Sequence, residues 1–155
     1  MAPTAHEHPG HTDLNRVAFS ATVHCLTGCA IGEVAGMALG TALGWSNAVT
    51  IVVSIVLAFA AGFTLTAWPF LRRGYGFAAS ARIAFAADTA SIALMELVDN
   101  VIMLFIPGAM SAPLNSLLFW GSLALSLVVA GVAAFPLNRW MIARGKGHAV
   151  VHGHH

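Results

Sequence analysis

The chain has 155 residues, 58% of them hydrophobic and 8% charged, with a mean hydropathy of +0.80. A soluble domain carries about 25% charged residues, so an ordinary soluble globule is excluded and an integral membrane protein with short tails is expected. A formal net charge of +1 leaves no electrostatic footprint for nucleic acid.

Residues 1–16 form a polar, proline-containing tail with His6, His8 and His11. It has no basic n-region, so the apolar segment behind it reads as a retained span rather than a cleaved signal. Four apolar segments follow, at about 17–43, 47–70, 77–106 and 114–141. The second ends at Trp68-Pro69 and the third before Pro107-Gly108. Each exceeds the ~20 residues a membrane helix needs. Short turns after the first and third make consecutive helices antiparallel neighbours. The expected fold class is therefore all-α, a polytopic four-helix transmembrane domain over 17–142. Residues 143–155 form a second tail with His148, His152, His154 and His155.

Basic residues set orientation. Arg16 precedes the first span, Arg72, Arg73 and Arg82 flank the middle loop, and Arg139, Arg144 and Lys146 follow or end the fourth. The other two turns hold no Lys or Arg. Both termini and the middle loop are predicted cytoplasmic. Trp45, Trp68 and Trp140 fall where an aromatic belt would lie.

The first span reads HCLTGCAIGEVAGMALGTALG over 24–44 and contains two ladders of period four. Gly28, Gly32, Gly36, Gly40 and Gly44 form one; Cys25, Cys29, Glu33 and Met37 form the other. Residues at i and i+4 share a helix face. A glycine ladder marks close helix–helix contact, and its expected partner is the third span or the first span of a second copy, which makes a homo-oligomer plausible. The two thiols do not bridge readily, since i and i+4 Cα atoms lie ~6 Å apart with diverging Cβ vectors.

The third span contains Asp88, Glu96, Asp99 and Asn100 with no internal cation at their depth. An acid at mid-bilayer costs on the order of 3 kcal/mol. Asp88 is near enough to the interface to meet Arg82, whereas Glu96 and Asp99 are the stronger functional candidates. Ala79, Ile83, Ala87, Ser91, Met95, Asp99 and Met103 form another series of period four. The second and fourth spans hold no acids and read as lipid-facing supports. Aligning the first and third spans by their cytoplasmic ends puts Cys29 near Ser91, Glu33 near Met95 and Met37 near Asp99.

His24, Cys25, Cys29, Glu33 and Met37, with Met95, Glu96, Asp99 and Met103 opposite, make a candidate metal set. Thiolates and thioethers select cuprous copper, with imidazole as an adaptable partner. The plainer reading takes Cys and Met as apolar fillers. His-rich tails match a metal-binding composition, or are simply polar tails. Haem stays open as a cofactor, but His24 is the only histidine in a span, so two axial histidines would require a dimer.

The segment ATVHCLTGCAIGEVAGM resembles a signature of small, uncharacterised bacterial four-span membrane proteins, HC-x-x-GC-x-x-GE, carried here by His24, Cys25, Gly28, Cys29, Gly32 and Glu33. MELVDNVIM in the third span also looks familial. Relatives are sometimes labelled or fused as copper-oxidase-like, which implies a copper context and no oxidase activity for so short a chain. The resemblance implies the bacterial inner membrane. A looser similarity is to small mercury-uptake proteins, with different cysteine spacing.

The expectation is a membrane protein that binds or translocates a soft metal ion, cuprous copper first, between the first and third spans, with enzymatic activity left open. Its partners would be the lipid bilayer, a second copy, and a metallochaperone or copper protein. Competing readings are a proton- or cation-coupled carrier using the carboxylates, a thiol-redox protein and a non-catalytic assembly subunit.

Overall fold

A computed structural model describes residues 11–146. The histidine tails, apart from the backbone of His11, lie outside the described residues. Four helices follow in order: α1 (His11–Leu43), α2 (Asn47–Arg72), α3 (Phe77–Phe105) and α4 (Leu117–Ala143), with a 3₁₀ turn at Ala109–Ser111 before α4. Three of them, α1, α2 and α4, are long and apolar enough to cross a membrane. The chain is thus an all-α membrane bundle.

The helix ends follow local rules. Ser46 and Ser116 sit at the N-caps of α2 and α4, accepting from the backbone N–H of Val49 and Phe119. Gly44 takes φ +65° at the end of α1, and Trp45 N–H bonds back to the Gly40 carbonyl at 2.9 Å. That left-handed turn is one only glycine adopts without strain. The expected boundary at Trp68-Pro69 is exceeded, since α2 runs to Arg72 with Pro69 inside it. Pro69 falls in the last turn, so the hydrogen bond that its missing N–H would make to the Leu65 carbonyl is lost only one turn before the helix ends. At the other end α1 begins at His11, six residues before the expected 17.

Consecutive helices pack side by side and α4 closes back on α1, so α1 and α3 lie across the bundle from one another. The closest pair is α1 with α2. Gly28, Gly32, Gly36 and Gly40 face Gly62, Ala58, Ser54 and Thr50 in turn, stepping four residues up one helix and four down the other. A methyl group on Gly28 would sit 2.8 Å from Gly62 Cα, and one on Gly32 would overlap the Ala58 backbone. Gly28, Gly32, Gly36 and Gly40 therefore meet α2 of their own chain rather than α3. Within the single chain this face is already occupied by α2.

Two further expectations are corrected. The second and fourth helices are not plain supports: α2 turns Thr50, Ser54 and Thr66 inward, and α4 turns Ser122, Ser126 and Asn138 inward. The buried face of α3 is also twice as wide as the single series implied. Ile83, Ala87, Ser91, Met95, Asp99 and Met103 are joined by Ser80, Ala84, Asp88, Ile92, Glu96 and Asn100. Ala79 is exposed.

Candidate functional site

The glycine ladder positions the second ladder. With the glycines committed to α2, rotation by about 100° per residue turns the next residues toward the bundle axis. Cys25, Cys29, Glu33 and Met37 are each no more than 1% exposed. Opposite them, α3 presents Asp88, Met95, Glu96, Asp99, Asn100 and Met103, all buried. A polar column results, running along the interior of an otherwise apolar bundle.

It begins at the end that carries the arginines. Asn138 Nδ2 donates to Thr22 Oγ1 at 3.0 Å, joining α4 to α1. Half a turn deeper, His24 Nε2 lies 2.7 Å from Thr66 Oγ1, and the Thr66 side chain also lies beside the Asp88 carboxyl. The Cys25 thiol donates to Asp88 Oδ1 at 3.9 Å. Arg82 is exposed on another face of α3, so the expected approach of Arg82 to Asp88 gives way to these contacts.

One turn further in, Cys29 lies beside Glu96. Asn100 Nδ2 donates to the Glu96 backbone carbonyl at 2.9 Å and to its Oε2 at 3.4 Å. Next, the Glu33 carboxyl lies against that of Asp99, and the Ser126 hydroxyl of α4 donates to Asp99 Oδ1. Glu33 Oε2, Glu96 Oε1 and Asp99 Oδ2 are buried and have no hydrogen-bond partner among the described residues. The pairing of Glu33 with Asp99, rather than with Met95, is about one turn away from the register expected by aligning helix ends.

The candidate metal set divides in two. Cys25, Cys29 and Met95 share one buried cluster with Ile92, Ala130 and Ala134. Met37 belongs to a second, with Ala112, Phe119 and Leu123. Met103 is buried, and His24 is only half-buried and turned to Thr66. Among the described residues, no three His, Cys, Asp or Glu side chains are grouped to hold one metal ion. Met37 also lines a half-polar cavity of about 260 Å³ at the end away from the arginines, with Thr41, Asn47, Thr50, Met110 and Ser111.

Sequence reasoning missed Thr66, Ser126 and Asn138. A signal existed for the first: Thr50, Ser54, Ala58, Gly62 and Thr66 repeat every four residues in α2 and complement the glycine ladder step for step. Ser126 and Asn138 carried a similar signal, since Ser122, Ser126, Ala130, Ala134 and Asn138 also repeat every four residues along α4, and all five are buried.

Comparison with the curated proteins and with the solved structures finds no match. A family profile described as a domain of unknown function, DUF4396, matches residues 14–147. That span takes in α1 from Leu14 onward, the other three helices and the whole interior column, and the chain belongs to the DUF4396 family.

Proposed function

We propose that the chain is a four-span protein of the bacterial inner membrane whose interior column binds or moves a cation in exchange for protons. The observation that carries this reading is the burial of Glu33, Glu96 and Asp99 together. Every Lys and Arg lies toward one end of the bundle. Arg82 is fourteen residues before Glu96 in the same helix, roughly 21 Å along the axis. Three ionised carboxylates without a counter-charge are not tolerated in such a place. Protons or a bound cation must therefore neutralise them.

On this reading α3 is the fourth span. Its 29 residues reach roughly 43 Å, its acids all face inward, and Phe85, Leu97, Val101, Leu104 and Phe105 cover its outer surface. The arginine-bearing end is the cytoplasmic one. Arg72 stacks over Trp68 and Arg144 over Trp140 there, as interfacial anchors do.

The donors favour cuprous copper as the cargo. Cys25, Cys29 and Met95 are soft ligands in one cluster, and Asp88 and Glu96 stand beside the two thiols to take their protons. A second reading, a proton- or cation-coupled carrier on the carboxyls alone, is supported by the burial of Glu33, Glu96 and Asp99 in one interior. Elemental analysis of protein purified without metal-affinity steps separates the two. Stoichiometric copper that is lost in Cys25→Ser/Cys29→Ser supports the first. Copper retained by that double variant would sink it. Cation uptake into vesicles that survives cysteine replacement and fails in Glu96→Gln supports the second.

A further inference from the structure

We propose that the cavity between the two loops opposite the arginine-bearing end is the loading site of the column, where the thioethers of Met37 and Met110 take up cuprous copper. This rests on the reading of copper as the cargo, and it gives Met37 a role away from the cysteine cluster.

Two separate connections build the cavity. Gly44 ends α1 in a left-handed turn, and Trp45 and Asn47 follow on the short link into α2. On the other side Gly108, at φ +80°, leads into the 3₁₀ turn Ala109–Ser111, which carries Met110. The two loops meet around about 260 Å³ of space. Met37, Gly40 and Thr50 are its buried inner wall, while Thr41, Asn47 and Ser111 are exposed at its rim. Met37 comes from α1 and Met110 from the second loop, yet both pack in one cluster. A methionine that serves as filler closes the space about it; these two border an open, half-polar one.

The donor set selects the ion. No Lys, Arg, His, Asp or Glu is among the described residues that line the cavity. Its donors are the two thioethers, the Asn47 amide and the hydroxyls of Thr41, Thr50 and Ser111. Uncharged soft donors suit a soft monovalent ion, whereas zinc and cupric copper take imidazole. Thioether sulfur carries no proton, so loading here releases none, unlike loading onto a thiol. An ion held at Met37 stands at the mouth of the column. Glu33 is four residues away on the same face of α1, roughly 6 Å along the axis.

The test uses the full chain in detergent, with silver(I) as the probe, because it matches copper(I) in charge and softness and does not oxidise in air. Titration calorimetry at pH 5 in chloride-free buffer keeps the tail imidazoles protonated, their ordinary pKa being about 6.5, and leaves thioethers unaffected. Cys25→Ser/Cys29→Ser should still bind silver. In that background Met37→Leu and Met110→Leu should each weaken binding on the order of tenfold or more. Met141→Leu, a buried methionine at the opposite end, should leave it unchanged. Met110→Leu stands as the independent variant if Met37→Leu does not fold, since Met110 is only half-buried. Silver should also quench the fluorescence of Trp45, which lines the cavity, and Trp45→Phe should remove that quenching. Unchanged affinity in either folded leucine variant, or quenching that persists in Trp45→Phe, would overturn the loading site and leave the cysteine cluster standing. So would silver binding that the cysteine double variant abolishes. No silver bound by the wild type would overturn both the loading site and the copper reading.

Discussion

Gly32 of α1 rests directly on Ala58 of α2, so closely that no side chain fits between the two backbones. Gly28, Gly36 and Gly40 are comparably tight, while Gly44 ends the helix in open space, and the contact fixes which face of α1 looks into the bundle. The chemistry of the column depends on that rotation.

Gly32→Val should therefore be severely destabilising. The added atoms meet the Ala58 backbone, which cannot rotate away, and overpacking of this kind costs about 1–3 kcal/mol or more. Gly121→Ala is the matched control: Gly121 lies inside α4 with open space around its Cβ position, so Ala should be neutral or stabilising by up to about 1 kcal/mol. Thermal unfolding in detergent, followed by circular dichroism, compares the two; equal melting temperatures would contradict the packing described.

Ser126→Ala should weaken the bundle through Asp99. The hydroxyl donates to Asp99 Oδ1, and leaving a buried acceptor unmatched costs about 1–3 kcal/mol. The effect should depend on Asp99. In a double-mutant cycle with Asp99→Asn, a coupling of about 0.5–3 kcal/mol is expected, whereas additive effects would separate the two residues.

Asn138→Ala should loosen α4 from α1 at the arginine-bearing end. Asn138 is buried, bonds Thr22 across the helices, and lies next to Arg139, whose Nε donates to Asn15 Oδ1 at 2.7 Å. A loss of about 1 kcal/mol is expected, with faster amide exchange over residues 138–143 than over the middle of α4. Unchanged exchange there would argue that the remaining contacts hold the helix end alone.

Neither cysteine should react with N-ethylmaleimide in the folded protein. Both thiols are free and buried, and reaction requires access as well as a thiolate. Mass spectrometry should find no adduct before denaturation and two afterwards. One fast-reacting cysteine in the folded state would place it at the surface instead.

Most of the architecture was legible because periodicity survives tertiary packing. Four apolar runs, two loops bearing glycine and the inward side of α1 all followed from spacing. The identity of the neighbours was not. A glycine ladder says that something approaches closely without saying what, and Thr50 to Thr66 were hidden by the apolar composition of α2. The pairing of Glu33 with Asp99 also escaped, since matching helix ends sets depth only to within about a turn. Of the candidate ligands, Cys25, Cys29 and Met95 share a cluster, while Met37 is drawn to another by Phe119 and Ala112. Linear order has no means of expressing that division.

The zip of small residues between α1 and α2 has a mechanical meaning. Gly28 and Gly32 set backbone against backbone, and Gly36 and Gly40 meet only the short side chains of Ser54 and Thr50, so this pair of helices has few rotamers to adjust and forms a stiff plate. The opposite wall is different: α3 and α4 meet the plate through thiols, thioethers, carboxyls and hydroxyls, which can change length and angle. Any volume taken into the column must be accommodated by that wall, and the two halves of the bundle are in this sense a fixed jaw and a yielding one.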